Sequence, residues 1–151
     1  MNAKLSTTAL FAVMSAASLA ASAPSAASPV GRWKSFDEET GQAKSIISLY
    51  VEKDELKARI DSLLPVPGKD PNRVCEKCDG DRKGKRIQGM IVAWGLALKE
   101  NAWEGGRILD PANGKIYRCR ITMDPGGKTL TVRGFIGFSL LGRSQKWERV
   151  N

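Results

Sequence analysis

The sequence predicts an all-β protein, an eight-stranded antiparallel up-and-down barrel, on three observations. From Val30 onward the chain consists of runs of four to nine residues rich in branched and aromatic side chains. Gly, Pro, Asn and Asp punctuate these runs, and no stretch holds a 3.6-residue period between caps. Eight such runs fall within about 125 residues, and closing them on themselves removes the exposed edges that an open sheet of this size must protect. Eight strands enclose an interior wide enough for side chains or for one small ligand. A two-sheet sandwich shares the strand pattern and is the alternative architecture.

Ahead of the first run lies a leader, residues 1–27. Lys4 opens it, no charge follows from Leu5 to Ala27, the apolar core sits around Ala9 to Leu19, and small residues close it. This order is that of a cleaved signal peptide. Small residues allow a cut after Ala20, Ala23 or Ala27, but the second leaves Pro24 at the new amino terminus, so cleavage is expected after Ala20 or Ala27. A membrane anchor needs ~20 strongly apolar residues, and the strong stretch here is about half that. The rest of the chain, 28–151, is expected to be a single exported domain, periplasmic or secreted, with no transmembrane segment once the signal is removed.

The strands follow in order. Val30 to Phe36 turns at Asp37 to Gly41 into Ser45 to Glu52, which turns at Lys53-Asp54 into Leu56 to Leu63. Leu56, Ala58, Ile60 and Ser62 share one face of that third run, and Lys57, Arg59 and Asp61 the other, the alternation of a strand with one wet side. A long polar excursion, Pro65 to Lys85, interrupts the pattern; loops of that length are usually functional or mobile. Ile87 to Trp94 is apolar at nearly every position, as expected of a strand covered on both faces. Trp103 to Leu109 reaches the strong turn signal Asp110-Pro111-Ala112-Asn113-Gly114. In Lys115 to Met123, Tyr117, Cys119, Ile121 and Met123 oppose Arg118, Arg120 and Thr122. Asp124 to Gly127 turns the chain into Thr129 to Phe135, where Leu130 and Val132 oppose Thr131 and Arg133. The last strand, Ser144 to Val150, is reached through the apolar segment Ile136 to Leu141.

Composition narrows the chemistry. The chain has no histidine, which removes the commonest general base, the commonest metal ligand and every His-containing triad. Asp61, Glu104 and Asp110 are carboxylates without a recognisable acid–base partner, and Asp110 before Pro111 reads as a turn cap. No phosphate-binding Gly-rich loop or nucleophile elbow occurs; Gly105-Gly106 and Gly126-Gly127 read as a bulge and a turn. No catalytic residue and no cofactor is therefore assigned. The formal charge is +8, or +7 once Lys4 leaves with the leader. Outside the cytoplasm such a balance favours anionic envelope surfaces over nucleic acid, with Arg82, Lys83, Lys85 and Arg86 as the densest cluster. Simple solubility explains the charge equally well.

Three cysteines, Cys75, Cys78 and Cys119, sit in a chain bound for an oxidising compartment. A redox pair needs a stabilised thiolate at a helix N-terminus, which a Pro- and Lys-rich loop does not offer. A zinc site would recruit Cys119 with Asp79 or Asp81, without a second CxxC or any histidine. A structural disulfide is favoured, either within Cys75–Cys78 or from one of these to Cys119; spacing leaves the pairing open.

Gly31-Arg32-Trp33 opens the first strand. A G-x-W at this place resembles lipocalins, in which the Trp lies across the closed end of the barrel beneath a basic side chain from the last strand. That resemblance implies a barrel-closing set of Gly31 and Trp33 with Arg143 or Arg149, the last strand also carrying Trp147. A guanidinium over a buried indole contributes about 0.5–2 kcal/mol. A longer resemblance covers nearly the whole exported domain. Cys75-Glu76-Lys77-Cys78, Gln88-Gly89-Met90, Trp103 to Pro111, Asn113-Gly114-Lys115, Tyr117-Arg118-Cys119, Val132 to Gly137 and Leu141 to Trp147 resemble, in order and spacing, a bacterial exported family of unknown function, domain number twenty-one forty-seven. What this implies is a lipocalin-like barrel with no established reaction.

Met90, Trp94, Trp103, Tyr117, Phe135 and Phe138 are the candidates to line a cavity for a small hydrophobic ligand, since such pockets are mostly apolar with a few orienting polar groups. For any one of them core packing is the commoner role, because small barrels are often filled. Arg133, Gln145 and Arg149 would meet an acidic head group if they point inward, although the parity of Arg133 places it outside. The expected function is non-enzymatic binding of a small apolar or amphipathic molecule such as a fatty acid. The alternative is an envelope interaction or stress-protective module with a filled barrel and a basic docking loop. An enzyme built on the cysteines is the least supported reading.

Overall fold

Hydrogen bonding joins each strand to the next and the last to the first, so the sheet closes. The structure is a computed structural model that describes residues 28–138 and 140–151; the expected signal peptide lies outside the described residues. The strands are β1 (Gly31–Phe36), β2 (Ala43–Glu52), β3 (Glu55–Leu63), β4 (Ile91–Lys99), β5 (Ala102–Asp110), β6 (Lys115–Met123), β7 (Thr129–Phe135) and β8 (Gly142–Arg149). They form one closed antiparallel barrel in sequence order, not a sandwich. The seam between β1 and β8 is short, with only Trp33↔Arg149 and Lys34↔Glu148 in register.

Seven of the eight strands fall within three residues of the runs read from the sequence. β4 does not: it starts at Ile91 rather than Ile87 and continues to Lys99. Ile87 to Met90 is consumed in a turn that still bonds to β3, with Gly89 N–H donating to the Ile60 carbonyl at 2.7 Å and Ile60 N–H to Met90 at 3.0 Å. Gly95, one residue past the end of the expected run, lies inside the strand at φ 69°. Its neighbour across the sheet, Gly106, has no room for a side chain, because a Cβ there would strike the Trp94 carbonyl and the Leu96 side chain. The register of β5 on β6 slips between Glu104 and Gly106, so the Gly pair is a bulge, which strengthens the local bend.

The up-and-down order puts the two ends under different regimes. One end receives the tight turns: Lys53-Asp54, both at positive φ as a two-residue hairpin loop requires, the Glu100-Asn101 turn, and 124–128. The other receives 37–42, the excursion 64–90, 111–114 and 136–141. Toward the tight-turn end the interior is solid. Trp33, Leu49, Leu56, Leu96, Ile121 and Leu130 are fully buried there, interdigitated from six different strands. The excursion packs back onto the barrel, contributing Cys75, Cys78, Ile87 and Met90 to the same buried cluster.

Candidate functional site

At the tight-turn end, Trp33 Nε1 donates to the Pro29 carbonyl at 2.8 Å and the Arg149 guanidinium lies 4.2 Å from the indole centroid. Arg149 is itself tied by hydrogen bonds to the carbonyls of Gly127 (2.7 Å), Val30 (3.1 Å) and Ser28 (2.7 Å), so its charge faces three dipoles and a π-face. Gly31, at φ 138°, sits where a Cβ would meet Arg149 Nη1 at 2.7 Å. This end is shut by Gly31, Trp33 and Arg149. Arg143, expected from sequence to share that task, stands at the other end, because it opens β8 whereas Arg149 ends it.

At that other end the barrel is hollow. A cavity of about 400 Å³ opens between the strand ends. Its floor is apolar, made by Ile47, Ile60, Val92, Val132 and Trp147, and its wall includes Tyr117, Phe135, Ile136 and Leu141. The polar groups are gathered toward the rim: Lys44, Asp110, Asn113, Arg143 and Gln145. In the wall, the buried hydroxyls of Ser35 and Ser45 satisfy each other. Asn113 Nδ2 donates to the Tyr117 hydroxyl at 3.0 Å, holding the ring against the mouth.

Arg143 is the best placed cation at the rim. Its Nη1 is 3.1 Å from Glu38 and its Nη2 3.7 Å from Asp110. Gln145 Nε2 donates to the other Glu38 oxygen at 2.8 Å, and Trp147 Nε1 reaches Gln145 Oε1 at 3.4 Å. A chain of polar contacts therefore runs from solvent down to the cavity floor. The pairs are exposed and individually weak, so an incoming head group can exchange with the carboxylates at small cost. Lys44 has no carboxylate partner among the described residues.

Two devices shape the mouth from outside. Asp37 organises the β1–β2 turn, accepting from Thr40 N–H (3.1 Å), Thr40 Oγ1 (3.1 Å) and Glu39 N–H (3.2 Å), while Lys69 of the excursion reaches it at 3.0 Å. The Lys69 ammonium, then the Thr40 amide, hold its carboxyl well below the usual carboxylate range. Cys75 and Cys78 lie at disulfide distance, Cα–Cα 5.4 Å, and their loop rests on the β5–β6 turn so tightly that a Cβ on Gly114 would overlap the Lys77 carbonyl. Both sulfurs are buried, and their separation suits the Cys75–Cys78 pairing among those the sequence left open. Cys119 is a separate buried thiol, pushed up to about 12 by burial and so neutral at physiological pH.

Of the six aromatic and sulfur side chains expected from sequence, Tyr117 and Phe135 line the cavity. Met90 is buried under the excursion and Trp103 packs against the solid core. Trp94 is in register with Arg107 and, through it, with exposed Arg118, so it is on the outer face, where Arg82 covers it at 4.4 Å. Phe138 projects from the β7–β8 loop into solvent. Arg133 is also outside, donating to Ser144 Oγ at 3.0 Å. Missed by size-based reasoning were Ser35, Lys44, Ile47, Ile60, Gly134 and Arg143. Alternation was the available signal: Arg143 and Gln145 share parity with Trp147, and Gly134 with Leu130 and Val132.

The chain belongs to the family described as "uncharacterized protein conserved in bacteria (DUF2147)", whose model matches residues 31–149. Among solved structures it is similar to protein HP1028 from the human pathogen Helicobacter pylori, described as belonging to the lipocalin family, with TM-score 0.70 and 15% identity over 82% of this chain and 84% of that one. At that identity the likeness establishes the fold, a lipocalin-like barrel. No curated protein matches the chain.

Proposed function

Taking membership of this bacterial family and a lipocalin-like barrel as the starting point, we propose that the chain is an exported, non-enzymatic binding protein that carries a small apolar or amphipathic molecule, such as a fatty acid. The observation that carries this reading is the half-hollow barrel. An apolar floor under a polar rim, about 400 Å³ in volume, falls in the ordinary range for ligand pockets. The alkyl part of a guest rests on Ile47, Ile60, Val92 and Val132, and its polar end meets Lys44, Arg143 and Gln145. Export rests on the leader, and periplasm or secretion are the compartments that follow from it.

The alternative, a filled barrel docking through Arg82, Lys83, Lys85 and Arg86, has less to support it. Arg82 is engaged on Trp94 and Arg86 with Asn72 at 3.4 Å, so half of that cluster fastens the excursion.

The test uses Gly134, whose backbone takes a side chain without strain: a Cβ there makes ordinary contacts at 3.5 Å with Ile108 and Tyr117 and enters the cavity. Gly134→Leu is expected to lower affinity for a fluorescent fatty acid more than tenfold while leaving the thermal midpoint within a few degrees. Native mass spectrometry of the protein recovered from its producing cells is expected to show a bound amphiphile. Equal affinity in Gly134→Leu and wild type would sink the cavity assignment.

A further inference from the structure

Between β7 and β8 the chain raises an apolar tip that the other described residues leave exposed. Ile136 is 66%, Phe138 79%, Leu140 88% and Leu141 70% exposed, a density of bare hydrophobic surface that marks an interaction site. Two arginines grip the tip from outside. Arg118 Nη1 donates to the Gly137 carbonyl at 3.3 Å and Arg133 Nη2 to the Leu140 carbonyl at 3.4 Å, one on each side of Phe138. These arginines belong to a larger set on the outer face of β5, β6 and β7. Arg107 stands directly opposite Arg118, and Arg120 directly opposite Arg133.

Like charges placed directly across a sheet are destabilising. On this face Glu104 lies 3.6 Å from Arg120 and pairs with it. Two arginine pairs stacked beside an exposed apolar tip describe a surface made for an anionic, partly apolar partner. The same tip also roofs the cavity, since Ile136 and Leu141 line it.

We propose that the β7–β8 loop docks the protein on an anionic phospholipid bilayer, with Phe138 and Leu140 entering the headgroup–acyl boundary and the arginines of β5–β7 meeting lipid phosphates, so that the mouth of the barrel opens onto the membrane. Apolar side chains ringed by cations are the composition that binds such interfaces. The inference deepens the ligand-binding reading and rests on it for its purpose: the guest passes between bilayer and cavity without crossing water.

The test is co-sedimentation of the full chain, expressed with its own leader and recovered from the exported fraction, with vesicles of phosphatidylcholine alone or containing phosphatidylglycerol. Binding is expected to the anionic vesicles and to weaken with salt. Arg118→Gln with Arg133→Gln should lower it roughly thirtyfold, and Phe138→Ser with Leu140→Ser more than tenfold. Phe138→Ser with Leu140→Ser should keep the wild-type thermal midpoint and fatty-acid affinity in solution, because neither side chain lines the cavity. Charge reversal at Arg82, Lys83, Lys85 and Arg86 should leave vesicle binding intact. The proposal is overturned if the wild type ignores anionic vesicles or if Phe138→Ser with Leu140→Ser binds them as the wild type does. Solution affinity for the fatty acid reports separately on the cavity, so either failure leaves the ligand-binding reading to stand or fall by itself.

Discussion

The two ends of this barrel are built from the same eight strands and differ in what their connections weigh. At one end the turns are two to five residues long and the interior is filled by Trp33, Leu49, Leu56, Leu96, Ile121 and Leu130, with Arg149 sealing the indole. At the other, three of the four connections are longer, the side chains recede, and a cavity of about 400 Å³ remains. In a small barrel the packed half supplies the cohesion, and this leaves the other half free to be hollow. A substitution in the core of the shut end should register as stability, and one in the cavity wall as binding.

The strongest test of that division is Trp33→Ala. It removes a wholly buried ring and should cost about 3–5 kcal/mol in denaturant unfolding. Tyr117→Ala, at the mouth, should cost much less and change fatty-acid affinity instead. A Trp33 variant of wild-type stability would break the comparison outright.

Cys119 marks the boundary, one inward position below Tyr117 on β6. Its thiol is raised from 9.0 to about 12, so above pH 9 the unfolded chain loses its proton before the folded one does. Stability should therefore fall with rising pH through that window by roughly 1.4 kcal/mol per pH unit. In Cys119→Ala this added alkaline slope should vanish, which urea melts between pH 8 and 11 would reveal.

Smaller effects are expected at the mouth. Cys75→Ser with Cys78→Ser opens a short ring and should cost about 2 kcal/mol by the chain-entropy estimate, with faster amide exchange in the excursion and the β5–β6 turn it leans on. The least is expected of Asp37. Its carboxyl is held below the ordinary range by Lys69 and the Thr40 amide, so it stabilises the fold above the unfolded carboxylate pKa and loses that contribution as pH falls. Asp37→Asn should flatten the acid limb of the stability curve and speed exchange at Glu39 and Thr40, leaving neutral-pH ligand affinity nearly unchanged.

Strand number and order were legible because alternation and turn residues are local signals: Asp110 to Gly114 and Lys53-Asp54 sit where their chemistry demands. β4 was not, because Gly95 stays inside the strand where β4 slips register against β3 and faces Gly106 on β5, and both relations are decided between strands. The cavity was half legible. Size drew attention to Trp94 and Trp103, yet a large ring fills or covers as readily as it lines. The hollow is defined by what is small there, Ser35, Ser45 and Gly134, and by Arg143, whose role depends on which end of β8 is the mouth.

The seam of the barrel carries a consequence for folding. Six strand pairings can zip from short turns and β3 meets β4 across the excursion, whereas β1 and β8 meet across more than a hundred residues with two residue pairs in register. Arg149 adds two side-chain bonds across the seam where the ladder is thin, to the carbonyls of Val30 and Ser28. Since distant contacts form after local ones have lowered their entropic cost, closure at this seam is expected last. Arg149 then behaves as a fastener set once the sheet has curled: its replacement by Lys should quicken unfolding and leave the folding rate alone, a φ-value near zero.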